Sequence, residues 1–205
     1  KLMLNGYVAY GTRDKAFKYQ TGFVYMLAKM PDKVLKGSYT KDMEQLGAGN
    51  DAFREDFILN SLFRRNPQDK LSLVTEYKGS YKHEWFTGFS NTIELSNRQL
   101  FTIGGNSVNI FDPVTHDYIP KEKITTTEIK LYLHYGYREK VIAGEYERFI
   151  VSSPYPVLDI QYTYGIKDLF KSNYEYNKLQ VKVSHWFNLA SAGYVKYAFE
   201  TGKTW

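Results

Sequence analysis

Hydrophobic and polar residues alternate with a period of two along much of this chain, most clearly from Leu71 to Trp85. There, one set of alternate positions is mainly apolar or aromatic, and the interleaved set is mainly polar or charged. Successive side chains of a β-strand point to opposite faces of the sheet, so the pattern predicts a strand with one aromatic and one charged face. Strands in soluble sheets are usually about five or six residues long. A run as long as this one, with no helical spacer, is typical of a transmembrane β-barrel.

The same alternation predicts about nine strands, which we expect to form an all-β, antiparallel, up-and-down transmembrane barrel. The predicted strands cover residues 2–12, 17–29, 34–45, 71–86, 89–102, 128–138, 158–167, 178–187 and 195–200. Short turns are predicted where turn-forming residues interrupt the alternation, as at Pro31-Asp32 and Thr87-Gly88.

Two long connectors, residues 46–70 and 104–123, lie between predicted strands. Within the first, apolar residues four positions apart in the segment 55–65, such as Ile58 and Leu62, predict one short amphipathic helix. We interpret this helix as a cover over the barrel rim, and the alternative is a gating or partner-binding element. A protein partner is expected to bind, if at all, through these two connectors.

Tyrosine dominates the aromatic content, with 19 Tyr, 13 Phe and 3 Trp. A tyrosine side chain combines an apolar ring with a polar tip, which suits the boundary between membrane and water. No stretch approaches the run of about eighteen apolar residues that a transmembrane helix requires. The mean hydropathy of -0.47 is compatible with a barrel, because half of each barrel strand faces a polar lumen.

Charge and cysteine content exclude several classes of function. The net charge of +5 is spread along the chain without a basic run, so no nucleic-acid partner is expected. The chain has 0 Cys, which excludes disulfides, thiolate metal sites and cysteine nucleophiles. We also expect no cofactor.

Residues 1–205 are expected to form a single β-barrel region that is incomplete at both ends. The chain begins at Lys1 without an initiator Met or a signal peptide, although an outer-membrane protein is made with one. Lys1 lies in or beside the first predicted strand, and the chain is expected to end within a strand at Thr204-Trp205.

The polar phase of the strands defines a set of charged residues that would face the barrel lumen. These residues are Glu76, Lys78, Lys82, Glu84, Glu94, Arg98, Glu128, Lys130, Arg138, Asp159, Lys167, Lys178, Lys182, Lys196 and Glu200. Opposite charges on neighbouring strands would form pairs that hold the strand register. A structural, salt-bridged lumen is therefore the first interpretation, because a selective pore more often carries a ring of one sign.

Candidate catalytic chemistry is sparse. Of the four histidines, only His134 falls on the charged phase of a strand, and no motif names a serine partner for a Ser-His-carboxylate site. Asp159 and Glu128 could act as paired carboxylates only if the fold brought them together. The histidine spacing fits no metal site. We therefore expect no catalytic, cofactor-binding or metal-binding residues, and no enzyme activity.

Several runs of the chain resemble a family of large, uncharacterised outer-membrane proteins of the Bacteroidetes. The runs are GYVAYGT at 6–12, Asp42 followed by EQLG at 44–47, SLFRRNP at 61–67, EWFTGFSN at 84–91, YGIK at 164–167 and AGY at 192–194. Members of that family look like an N-terminal carboxypeptidase-regulatory-like β-sandwich followed by a long β-barrel region, and this chain resembles part of the barrel. The resemblance implies an outer-membrane barrel and no known activity, and it supplies no catalytic residues.

The sequence supports three hypotheses for the function. The first is part of a β-barrel in the outer membrane of a Gram-negative bacterium, in contact with lipid, with a role in transport, outer-membrane assembly or surface anchoring. The second is a soluble β-barrel or sandwich that binds a ligand or a protein partner and uses the aromatic face as its core. The third is an outer-membrane hydrolase, which requires a serine within hydrogen-bond reach of His134. The burial of the two faces separates the first two readings.

Overall fold

The computed structural model describes residues 1–12, 16–45, 71–102, 108–112, 117–121, 123–146, 148–188, 191 and 193–205. These residues form β-strands and one 3-10 turn, Leu169–Lys171. In chain order the strands are β1 Leu2–Gly11, β2 Ala16–Lys29, β3 Asp32–Gln45, β4 Leu71–Phe86, β5 Phe89–Thr102, β6 Val108–Asp112, β7 Asp117–Lys121, β8 Lys123–Gly136, β9 Lys140–Ala143, β10 Arg148–Ser152, β11 Val157–Gly165, β12 Tyr176–Asn188 and β13 Tyr194–Thr204.

Nine long strands form one sheet in the order β1-β2-β3-β4-β5-β8-β11-β12-β13, and each neighbouring pair is antiparallel. The sheet is an up-and-down meander, which confirms the all-β, antiparallel prediction and its nine strands. The remaining strands form two separate hairpins, β6 with β7 and β9 with β10. The sequence analysis treated both hairpins as connectors, because strands of four or five residues are too short for alternation to reveal them.

The strand bounds agree with the prediction for β4 and β5, whereas three strands end earlier than predicted. Strand β1 ends one residue earlier, at Gly11. Strand β8 ends at Gly136 and β11 ends at Gly165, so each is two residues shorter at its end. After Gly136 the chain turns, and Arg138 has a positive φ of 55° that no strand residue adopts. The helix predicted for residues 55–65 lies outside the described residues.

Strands β1 and β13 form the two edges of the sheet. Because the meander has nine strands, both edges run in the same direction. No ladder joins β1 to β13 among the residues that the structure describes. The structure therefore describes an open sheet.

Burial on this sheet is inverted relative to a soluble protein. In the described parts of the chain, the buried hydrophobic residues are Val24, Met26, Val34 and Val74. The polar phase of the strands is buried, at Ser72, Glu84, Ser90, Ser96, Asp159, Gln161, Thr163 and Gln180. The opposite phase exposes Phe23, Tyr25, Leu35, Tyr77, Ile93, Leu95, Ile129, Tyr135, Tyr162, Leu179 and Phe199. We call the polar, buried side the inner face and the apolar, exposed side the outer face.

The start of strand β8 extends beyond the end of β11. Residues of the loop after β11 form hydrogen bonds with the backbone of this part of β8, which has no neighbouring strand on that side. The backbone N–H of Thr127 donates to Ser172 Oγ at 3.1 Å, and the N–H of Thr125 donates to Asn173 Oδ1 at 2.8 Å. The N–H of Asn173 returns a bond to the Thr125 carbonyl at 2.8 Å. Serine and asparagine side chains thus replace a strand partner, which explains why β8 remains buried and hydrogen-bonded there.

We expect Ser172→Ala to lower the free energy of unfolding by about 1–2 kcal/mol, because it leaves a buried backbone N–H of Thr127 without an acceptor. Urea unfolding of the full-length protein measures this change. Lys171→Ala in the same loop is the control, because Lys171 is exposed. Equal effects of the two substitutions would contradict the capping role of Ser172.

Candidate functional site

Four neighbouring strands bring polar residues into one row on the inner face. Ser90 on β5 lies opposite His134 on β8, and His134 lies opposite Asp159 on β11. Asp159 is in turn opposite Lys182 on β12. Directly opposed residues of antiparallel strands point to the same face, so the register itself assembles this row.

His134 is held between two carboxylates. Its Nδ1 lies 2.6 Å from Asp159 Oδ1, and its Nε2 lies 3.0 Å from Glu139 Oε2. The hydroxyl of Tyr132 donates to the same Asp159 oxygen at 2.6 Å. Both ring nitrogens can donate only when the imidazole is doubly protonated, so this geometry suits an imidazolium between two carboxylates.

Glu139 reaches His134 by folding back over Gly136. A Cβ at Gly136 would overlap the Glu139 carboxyl group, which lies directly against the glycine. Glu139 follows the end of β8, and only 2% of its side chain is exposed. Glycine is therefore required at position 136, because the Glu139 side chain packs directly against the backbone there.

We expect Gly136→Ala to displace Glu139 and to lower the free energy of unfolding by about 1–3 kcal/mol. Urea unfolding of the full-length protein tests the substitution. Gly79→Ala on β4 is the matched control, because no atom lies within 4 Å of the position where its Cβ would be. If both substitutions had the same small effect, the tight fit of Glu139 over Gly136 would be refuted.

A cavity of about 690 Å³ opens beside this cluster. Its polar wall includes His134, Glu139 and Asp159, and its other walls come from β10, β12 and β13. The lining residues on those strands are Ile150, Val151, Lys182, Ser184, His185, Trp186, Tyr194 and Lys196. The cavity volume lies within the range of small-molecule sites, about 300–1,000 Å³.

The β9–β10 hairpin extends from the middle of the sheet to its edge. The Lys1 ammonium donates to Glu145 Oε1 at 2.9 Å, which joins the tip of this hairpin to the start of β1. This hydrogen bond and the accompanying charge attraction lower the pKa of Glu145 and raise the pKa of Lys1. Both side chains are largely exposed, so salt screens their interaction. Because Ile150 and Val151 of the same hairpin line the cavity, the hairpin lies across one end of the inner face.

Most of the charged residues predicted for the lumen lie on strands, and many form ion pairs. Lys130 lies 3.3 Å from Glu94 on the opposite strand and 3.1 Å from Glu128 on its own strand. Lys78 lies 3.8 Å from Glu76 and 3.8 Å from Glu94. Opposite charges therefore alternate across β4, β5 and β8, as a salt-bridged interior requires.

The burial of the predicted set varies with position. Glu84 and Asp159 are buried. The half-buried members are Glu76, Lys78, Lys82, Glu94, Arg98, Glu128, Lys130, Lys178 and Lys182. Lys196 and Glu200 are exposed on the edge strand β13, and Arg138 and Lys167 are exposed outside the strands.

Two buried acids were missing from the predicted set. Glu139 fell in a predicted connector, and Asp32 was assigned to a turn. Asp32 is 1% exposed, and its carboxylate lies 3.1 Å from the Lys82 ammonium. Its backbone N–H donates to Glu84 Oε2 at 3.1 Å. The signal that could have found Asp32 is its place two residues from Val34 on the inner phase, had β3 been extended by two residues.

The arrangement around His134 differs from a Ser-His-carboxylate triad. Within the described residues, the two ring nitrogens contact Asp159 and Glu139, and no hydrogen bond joins a serine to His134. Ser90 is opposite His134 in register, yet it is not bonded to the ring. The expectations that the chain is not an enzyme and that Glu128 and Asp159 form no catalytic pair stay predictions.

No group of three or more His, Cys, Asp or Glu side chains in the described part of the chain could hold a metal ion. No described helix is both long and apolar enough to cross a lipid bilayer.

The meander, its buried polar inner face and its exposed apolar outer face together define an all-β domain of inverted polarity. The chain belongs to the family of unknown function DUF5686, as its C-terminal domain, because the model of that domain matches residues 1–204. This membership confirms the resemblance to an uncharacterised family. No curated protein and no solved structure matches the chain.

Proposed function

We propose that this chain is part of an outer-membrane β-barrel whose outer face contacts lipid and whose inner face encloses a polar interior. The observation that carries the proposal is the inverted burial, with Gln161 and Thr163 at 6% and 3% exposure and Ile93 and Leu95 at 48% and 44%. Water is a poor solvent for a continuous apolar surface, whereas hydrocarbon is a good one.

On the outer face of β4, aromatic residues lie at both ends of the segment 77–85, with Tyr81 between them. On β4, Trp85 stacks on His83 with ring centroids 4.4 Å apart, near the Thr87-Gly88 turn. Toward the other end of the strand, Tyr77 packs against Tyr39 with centroids 4.6 Å apart. The eight residue steps from Tyr77 to Trp85 span about 26 Å along the strand. At a strand tilt of about 40° this corresponds to about 20 Å, close to the height of the apolar band of outer-membrane barrels.

The connectors at the Trp85 end include two short turns, at Met30-Pro31 and Thr87-Gly88. Barrels of this class have short turns on the periplasmic side and longer loops outside. This end is accordingly assigned to the periplasm, and the long connectors 46–70 and 104–123 to the cell exterior. A protein partner would meet the barrel through those connectors.

Among transport, outer-membrane assembly and surface anchoring, the cavity beside His134 favours transport of a polar solute. The Bacteroidetes origin, the Gram-negative outer membrane and a preceding carboxypeptidase-regulatory-like domain belong to the same proposal. A soluble barrel or sandwich would need the aromatic face as its core, and the exposure of that face argues against this alternative.

Single-cysteine labelling tests the proposal directly, because the chain has 0 Cys of its own. Val181→Cys places an environment-sensitive dye on the outer face of β12, and Gln180→Cys places it on the inner face one residue away. In lipid vesicles, we expect spin-labelled lipid to quench the dye at position 181 and to leave the dye at position 180 unquenched. Both substitutions are made in the full-length protein, in which any cysteine outside residues 1–205 is first replaced by serine.

Two further results distinguish the readings. Retention in membranes after an alkaline wash, with a gel mobility shift on boiling, is expected of an integral barrel. Release by the wash, together with no lipid quenching at position 181, would exclude the membrane reading and favour the soluble one.

A further inference from the structure

One oxygen of Glu139 has no hydrogen-bond donor in the described part of the chain. Oε2 contacts His134, whereas Oε1 is buried and receives no hydrogen bond. The side chain is 2% exposed and lines the cavity of about 690 Å³. Buried polar atoms are almost always hydrogen-bonded. Because Oε1 packs against Gly136 and has no exposed surface, the carboxylate gains a donor only if it turns from the glycine toward the cavity.

The far wall of the same cavity is aromatic. Trp186 and Tyr194 lie edge to face, with ring centroids 6.5 Å apart and planes at 82°. Both residues line the cavity. An exposed indole in a polar cavity offers a flat apolar surface to a ligand that also needs hydrogen bonds.

The charges around the cavity are mixed. Lys182 and Lys196 contribute positive charges, Asp159 and Glu139 contribute negative charges, and His134 lies between the two acids. A site for a simple anion or a simple cation would carry an excess of the opposite sign. Mixed donors and acceptors suit hydroxyl groups, each of which can both donate and accept.

We propose that this cavity binds a neutral, hydroxyl-rich solute such as a small saccharide. In the bound state the Glu139 carboxylate turns from Gly136 and accepts a hydrogen bond from one hydroxyl, and the C–H face of the sugar ring packs on Trp186. The proposal names a solute class for the polar interior and in that respect rests on the proposed function. It makes the end of the barrel beneath the β9–β10 hairpin a binding site on the path of the solute.

Calorimetric titration of the full-length, detergent-solubilised protein tests the site without requiring a membrane. Three probes are compared: maltotriose as the neutral polyol, spermidine as the cation and citrate as the anion. We expect saturable binding of maltotriose alone. Glu139→Gln removes the charged acceptor and should weaken that binding about tenfold or more. Glu145→Gln in the same connector is exposed and should leave it unchanged.

A second substitution covers the case in which Glu139→Gln disturbs the fold. Trp186→Ala removes the aromatic surface without touching the carboxylate cluster, and it should also weaken maltotriose binding about tenfold. Binding of spermidine or citrate in preference to maltotriose would overturn the proposal, as would the absence of saturable binding by any probe. Equal maltotriose affinity in the wild type and both substituted proteins would also overturn it.

The outcome is separable from the proposed function. Lipid quenching at position 181 without maltotriose binding would support the outer-membrane barrel and refute the saccharide site. Maltotriose binding without lipid quenching would support the saccharide site and refute the contact of the outer face with lipid.

Discussion

Replacing Ile93 by arginine is expected to lower the free energy of unfolding of the membrane-inserted protein by about 2–4 kcal/mol. Ile93 lies on the outer face of β5, opposite Tyr81, midway between the aromatic levels of Tyr77 and Trp85. A guanidinium at this level would enter the middle of the hydrocarbon. On a soluble protein, a residue that is 48% exposed would tolerate arginine within about 0.5 kcal/mol.

Urea unfolding from phospholipid vesicles measures the effect of Ile93→Arg. Ile93→Ala is the control, since it removes apolar contact without adding a charge. If the two substitutions cost the same, the outer face of β5 does not meet lipid at this level. The experiment therefore tests the membrane reading at one residue.

Asp159→Ala is expected to lower the free energy of unfolding by about 3–5 kcal/mol. Asp159 is 7% exposed and accepts hydrogen bonds from both Tyr132 and the His134 ring. Its removal leaves both donors buried in the inner face without that acceptor, and it leaves Glu139 as the remaining partner of the imidazole. A lost contact of this type costs more than the intact pair contributes.

A double-mutant cycle measures the free-energy cost of leaving one side chain of the His134–Asp159 pair buried without its partner. His134→Leu combined with Asp159→Leu removes both partners, and we expect the double variant to be more stable than the sum of the single variants predicts. Urea unfolding of the four proteins supplies the coupling free energy. Strict additivity would show that the two side chains do not stabilise one another.

The alternation of side chains determines strands well in this chain because one face of each strand has a uniform environment. In β4, apolar and polar residues alternate for most of the length from Leu71 to Trp85, and the predicted strand bounds, 71–86, are the observed ones. The end of β8 was predicted two residues too late because Tyr137 and Arg138 continue the alternation, although the backbone already turns at Arg138. The alternation of apolar and polar residues indicates the environment of the side chains. It carries no information on the backbone dihedral angles at which a strand ends.

The site was predictable only in part. The phase of β8 and β11 placed His134 and Asp159 on the polar face, but phase alone does not give register. Which residues become opposite neighbours depends on how adjacent strands align, and their connector of twenty residues, 137–156, does not fix that alignment. Glu139 could not be found at all, because its contact arises from a chain reversal over Gly136.

The meander also determines the order in which the sheet can assemble. Every long strand pairs with the long strand that comes next in the chain, so each pairing closes a local loop and the contact order stays low for a β-protein. The β4–β5 pair closes over two residues, Thr87 and Gly88, whereas the β3–β4 pair must close over residues 46–70. The longer loop adds a closure cost of about 2 kcal/mol by chain-entropy scaling. We therefore expect the β4–β5 hairpin to form before β1–β3 pair with β4.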